Sequence, residues 1–198
     1  MKRVGIVLAV IVLLGLTSCA KVPQETIDGA RAALDSARKA EASLYAPDAL
    51  KAAEAKVAEL DTELDTQKAK WFKSYARVSE LAAEVTATAQ KAEDEALAGK
   101  VRAKTEAEAA LAGADTALTE TRNALASAPR GKGTSADLAA LSGDLDAASA
   151  TLDEARSAME TEKYLDAKAK VDSAMETISR VTTDIENARA MMAAARKK

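Results

Sequence analysis

Three groups of residues in this chain are of a type that does chemistry: the thiol of Cys19, the carboxylates Glu59, Asp61, Glu63 and Asp65, and the aromatics Trp71, Phe72 and Tyr75. A thiol can act as a nucleophile, bind zinc or be acylated. The chain holds no histidine and no second cysteine, so the commonest general base and metal ligand are missing and no disulfide can form. The carboxylates lie at alternate positions, which do not converge on a helix, so they read as a solvated face rather than as an acid and base pair. The sequence therefore predicts no enzyme, no metal and no cofactor. KWFKSY concentrates three of only five aromatic residues, and Trp71 and Tyr75 stand four apart, on one face if the segment is helical. Core packing or a hairpin tip is the plain explanation, and a partner contact through Trp71, Phe72 and Tyr75 is the sharper one.

What precedes Cys19 decides how its thiol is read. Lys2 and Arg3 lead into an apolar run, Val4 to Leu16, of about thirteen residues, which is short of the roughly 20 needed to cross a bilayer. That is the layout of a secretory signal. Leu16, Thr17, Ser18 and Cys19 resemble the lipobox of bacterial envelope lipoproteins. The resemblance implies acylation of the Cys19 thiol, cleavage before it, and a membrane partner held through acyl chains. Inner-membrane lipoproteins often carry aspartate at the next position; Ala20 implies the outer membrane, facing the periplasm. Acylation would also explain why an exported chain keeps one unpaired cysteine.

Loss of residues 1–18 would take the basic count from 28 to 26 against 31 acidic side chains, a balance of −5. An acidic chain does not suit nucleic acid, which wants a basic face. Alanine supplies about a quarter of the residues and aromatics 3%, a profile of long helices with a thin core. Thin cores do not readily enclose a substrate pocket. The fold class is all-α, elongated antiparallel hairpins resembling a coiled-coil bundle, and leftover apolar stripes make a second copy a candidate partner.

Periodicity places the helices. After a tether at 19–24, Ile27, Ala30, Leu34, Ala37 and Leu44 share a stripe that stops at YAPD, where Pro47 suits the first turn of a new helix. A period of seven then runs through Leu50, Val57, Leu64, Trp71, Val78 and Val85. Its phase favours one continuous helix reaching Ala128, over a reading that folds back near 70–74. Pro129, Gly131 and Gly133 mark a linker at 129–135, with Thr134 and Asp137 as a capping pair. Two further stripes follow. Leu138, Leu141, Leu145, Ala148, Leu152, Ala155 and Met159 form one, and Tyr164 through Val171, Ile178, Ile185 and Met192 the other, separated by a turn near 160–163 that no glycine marks. This divides the chain into 1–18 signal, 19–24 tether, 25–128 hairpin with a long helix, 129–135 linker and 136–198 hairpin.

The pattern ARAALDSARKAEASLYAPDALKAAEAKVAEL resembles an alanine-rich helical domain of unknown function found in bacterial envelope lipoproteins. It covers residues 25–98 and implies a non-catalytic structural or adaptor role beside an envelope protein. The basic end, Arg196, Lys197 and Lys198, complements a helix dipole. It also resembles the lysine-terminated murein lipoproteins, which implies peptidoglycan as an alternative partner at Lys198.

Overall fold

The computed structural model describes residues 21–128 and 134–195, and within them the chain is all-α. Among the described residues six helices follow one another: α1 Gln24–Lys39, α2 Ala42–Tyr45, α3 Pro47–Ala69, α4 Ala76–Ala126, α5 Thr134–Glu160 and α6 Tyr164–Ala195. Cys19, the signal segment 1–18, residues 129–133 of the linker and Lys198 lie outside the described residues. Internal contacts divide the chain into two compact units between Ala98 and Gly99. That boundary falls inside α4, whereas the composition of the chain points to a linker at 129–135.

The first unit is built from α1, the one-turn α2, α3 and the N-terminal part of α4. Arg31 pairs with Asp61 at 2.7 Å and Arg38 with Glu54 at 2.8 Å, so numbers rise on α1 as they fall on α3, which makes the two antiparallel. Lys56 to Glu84 at 3.1 Å relates α3 to α4 in the same sense. Two apolar clusters lie along this unit. Ile27, Ala30, Leu60, Leu64, Val78, Leu81 and Val85 fill one end with large side chains. Leu34 and Leu50 with Ala37, Ala42, Ala53, Ala89, Ala92 and Ala96 fill the other, mostly with methyl groups.

The continuous helix expected from Leu50 to Ala128 does not form: α3 ends at Ala69 and α4 begins at Ala76. The alternative, folding back near 70–74, is what the chain does. The reason is one of magnitude. Helical continuation through Lys70–Tyr75 offers little, because Trp, Phe, Ser and Tyr are only middling helix formers. Folding back buries Leu60 and Leu64 against Val78, Leu81 and Val85, at about 1.5–3 kcal/mol for each large side chain. The sevenfold spacing survives the turn because the turn's length keeps phase, and only Trp71 of that series is expelled from the core.

A second departure is Leu44, expected on the α1 stripe but exposed. Glu41 adopts a left-handed conformation, φ 61°, after the α1 end, and its carbonyl accepts the N–H groups of Leu44 and Tyr45. The phase resets there, so Ala42 and Ala46 turn inward in place of Leu44. Pro47 then opens α3, where its missing N–H costs nothing.

In the second unit, the part of α4 from Gly99 packs with α5 and α6. Lys170–Glu154 at 2.8 Å and Arg180–Asp144 at 3.1 Å set α5 and α6 antiparallel. Lys100–Glu162 at 2.8 Å and Thr121–Thr182 at 2.8 Å set α4 and α6 parallel. The core holds Leu145, Leu152, Val171, Ile178, Val181 and Ile185, which are the residues the third and fourth stripes predict. Met159 and Met175 are partly buried against apolar clusters, while Met191 is exposed. The unmarked turn is a Schellman closure: Lys163 N–H donates to Ala158 O at 2.9 Å and Glu162 N–H to Met159 O at 3.1 Å, with Glu162 at φ 59°. A glutamate stands where glycine is usual.

Along α4 the buried positions Val78, Val85 and Ala92 keep a spacing of seven, as do Ala107, Ala114 and Thr121. Gly113 sits on the exposed side of α4, and a methyl group built there meets nothing within 4 Å. Gly113→Ala is therefore expected to stabilise the protein by about 1 kcal/mol, the difference in helix propensity, read as a higher midpoint in urea with an unchanged slope.

Candidate functional site

The most distinctive surface feature is the turn between α3 and α4. Its first foot is Gln67, a buried polar residue whose Nε2 donates to Glu63 Oε1 at 2.7 Å and whose Oε1 accepts the Ser74 N–H at 3.1 Å. One side chain thus ties the end of α3 to the approach to α4. The second foot is Tyr75, only 8% exposed and packed in the large-residue cluster with Leu64 and Val78. Its carbonyl accepts both the N–H and the hydroxyl of Ser79, at 3.0 and 3.2 Å, which starts α4. Between these feet the backbone turns extended at Lys70 (φ −75°, ψ 146°) and carries Trp71 and Phe72 outward, 91% and 89% exposed.

The three aromatics are therefore not one surface. Trp71 and Phe72 form an exposed tip, and Tyr75 is core. Their expected common face fails because residues 70–75 are not helical, so a spacing of four has no helical meaning there. From Thr66 to Ser79 the chain carries Lys68, Lys70, Lys73 and Arg77 and no acidic residue. Lys68 pairs with Asp65 at 3.1 Å, and Arg77 with Glu80 and Glu84, each at 3.1 Å. Lys70 and Lys73, exposed on either side of the aromatics, face solvent.

The acidic stretch of α3 is a paired, solvated face. Asp61 meets Arg31, Glu59 meets Lys56 at 2.8 Å, Asp65 meets Lys68, and Glu63 accepts from Gln67. No three carboxylates come together to hold a metal among the described residues. A depression of about 430 Å³ lies in the second unit beside Leu138, Leu141, Asp144, Arg180, Ile185 and Met191, and its Asp144 and Arg180 already neutralise each other. Comparisons with family models, curated proteins and solved structures return no match.

Two titration features follow from the ion pairs. Hydrogen bonding from Lys56, joined by Arg77, holds Glu84 below the usual carboxylate value, and Lys170 and Lys100 do the same for Glu154 and Glu162. Groups depressed on folding contribute stability that is present above the unfolded value, about 4.5, and lost as pH falls through the lower folded value. With no histidine, no side chain has an ordinary pKa between about 5 and 8. Thermal midpoints are thus expected to be nearly flat from about pH 5.5 to 7.5 and to decline below about 4.5, with a shallower decline in high salt because these pairs are exposed. A slope centred near pH 6.5 would contradict this.

The two feet and the tip also predict opposite responses to truncation. Trp71→Ala, which removes an exposed ring, is expected to change stability by less than about 0.5 kcal/mol. Tyr75→Ala is expected to cost about 3 kcal/mol through the cavity it leaves. Urea denaturation followed by circular dichroism distinguishes them.

Proposed function

We propose that this protein is an envelope lipoprotein, acylated at Cys19, that presents a helical body to the periplasm from the outer membrane and acts as a non-catalytic structural or adaptor module. The observation that carries the reading is the sequence Leu16-Thr17-Ser18-Cys19 at the end of a short apolar run behind Lys2 and Arg3. Stable anchoring needs two acyl chains or one chain with a further attraction, and a diacylated thiol supplies the former. Two facts about the body are in keeping with it. Helix α1 begins at Gln24, a few residues beyond Cys19, so the folded body starts close to the anchor. The helices present long faces of paired charges, Arg31–Asp61, Arg122–Asp146 and Arg156–Asp115 among them, of the kind that keeps an extended surface hydrated and available to another envelope protein.

Mass spectrometry of the N-terminal peptide from membranes of the expressing cell tests the anchor. The expected species begins at Cys19 and carries a diacylglyceryl thioether. In Cys19→Ala the apolar segment should remain attached and the acyl mass should be absent. A chain that begins at Met1 with a free Cys19 thiol would end the proposal.

A further inference from the structure

The α3–α4 tip has a charge and a position that together identify what it meets. Trp71 and Phe72 are almost fully exposed on a turn whose feet are fixed by Gln67 and Tyr75, so the rings are held outward rather than left loose. Exposed lysines stand at 70 and 73, and no acidic residue occurs from 66 to 79 in a chain that is acidic overall. Aromatic rings flanked by lysine are the composition that settles at the headgroup level of a bilayer, most strongly where the lipids are anionic.

The topology of the first unit brings this tip to one particular end. Val22 and Ile27, at the start of α1, pack in the same cluster as Leu64, Tyr75 and Val78. The chain therefore leaves the unit toward Cys19 at the end that carries the tip. Val22 is three residues from Cys19. Even fully extended, that connection reaches only about 10 Å. An acylated Cys19 would hold the tip against the membrane that takes its acyl chains.

We propose that the α3–α4 turn is a second membrane contact, with Trp71 and Phe72 inserted among the headgroups of an anionic bilayer and Lys70 and Lys73 against lipid phosphates. The inference deepens the anchor reading and rests on it for the choice of a bilayer over a protein as the occupant. It assigns the first unit a fixed stance on the membrane, as a body held at two points cannot swing about its tether.

Trp71 is the only tryptophan, so its emission reports the tip directly. The protein as purified from membranes is reconstituted into vesicles of phosphatidylcholine alone and of an equal mixture of phosphatidylcholine and phosphatidylglycerol. In the mixed vesicles, emission is expected to move to shorter wavelength, iodide quenching to fall, and lipids brominated near the headgroup to quench. The double variant K70Q/K73Q, whose changes are both on exposed residues, should keep its helical circular dichroism. It should lower the ratio of protected to exposed Trp71 by roughly 25-fold, at about fivefold for each cation. Emission that stays at long wavelength and open to iodide in both vesicles overturns the proposal. So does a shift that appears only with added envelope protein or with rising protein concentration, which would assign the tip to a protein partner or to a second copy. The acyl mass at Cys19, measured on the same sample, separates the two readings: acylation with a wet Trp71 removes the tip contact alone, and a bare thiol with a protected Trp71 removes the anchor alone.

Discussion

Everything in this molecule follows from how little an alanine can bury. A helix whose inward stripe is mostly methyl groups gains roughly 0.8 kcal/mol per buried methyl-sized group, against about 1.5–3 for a leucine or isoleucine. No single such stripe can offset the entropy of ordering its chain. Each helix here therefore runs beside two others in its unit, at the close approach that small side chains permit, and the chain turns back wherever continuing straight would leave a stripe in water. The break at Lys70–Tyr75 is the clearest case, since burial of Leu60, Leu64, Val78, Leu81 and Val85 outweighs six residues of middling helix propensity.

The large side chains are not spread evenly. In the first unit they gather at the end where α1 starts and the α3–α4 turn sits, while the far end is packed mainly with alanine. The well-filled end is the one that has to hold Gln67 and Tyr75 still, because they set the direction of the tip. Packing and surface chemistry are thus connected. Without a firm cluster below it, an exposed Trp71 and Phe72 would be expected to fold onto the nearest apolar surface.

Charge does a different job. The cross-helix pairs Arg31–Asp61, Arg38–Glu54, Lys56–Glu84, Lys170–Glu154 and Arg180–Asp144 all remain open to solvent, so each contributes little to stability and is screened by salt. Their value is in register. Alanine stripes are nearly uniform along a helix and would tolerate sliding by a turn, whereas a sliding helix would separate Arg38 from Glu54 and Arg180 from Asp144. The buried Thr121, hydrogen-bonded to the half-buried Thr182 at 2.8 Å, serves the same end inside the second unit, since neither hydroxyl can move away without losing its partner.

The helical stripes are legible in the residues alone because a period of 3.6 is a local property: Ile27 to Ala37, Leu145 to Ala155 and Tyr164 to Ile185 are buried as their spacing requires. Pro47 at the start of α3 is legible for the same reason, and the proposed acylation of Cys19 rests on Leu16 to Cys19 in the sequence alone. What spacing could not decide is whether a helix continues, because phase carries across a turn of suitable length and only the energy of packing against a distant segment breaks the tie. That is why Trp71 sits on the sevenfold series yet points into solvent, why Tyr75 belongs to the core although it neighbours the exposed pair, and why Leu44 leaves the stripe once Glu41 turns left-handed. The start of α1 and the aromatic tip are nearly fifty positions apart in the chain. Their meeting at one end of the first unit was decided by the tertiary structure, through the long-range burial of Ile27 and Ala30 against Leu60, Leu64 and Val78.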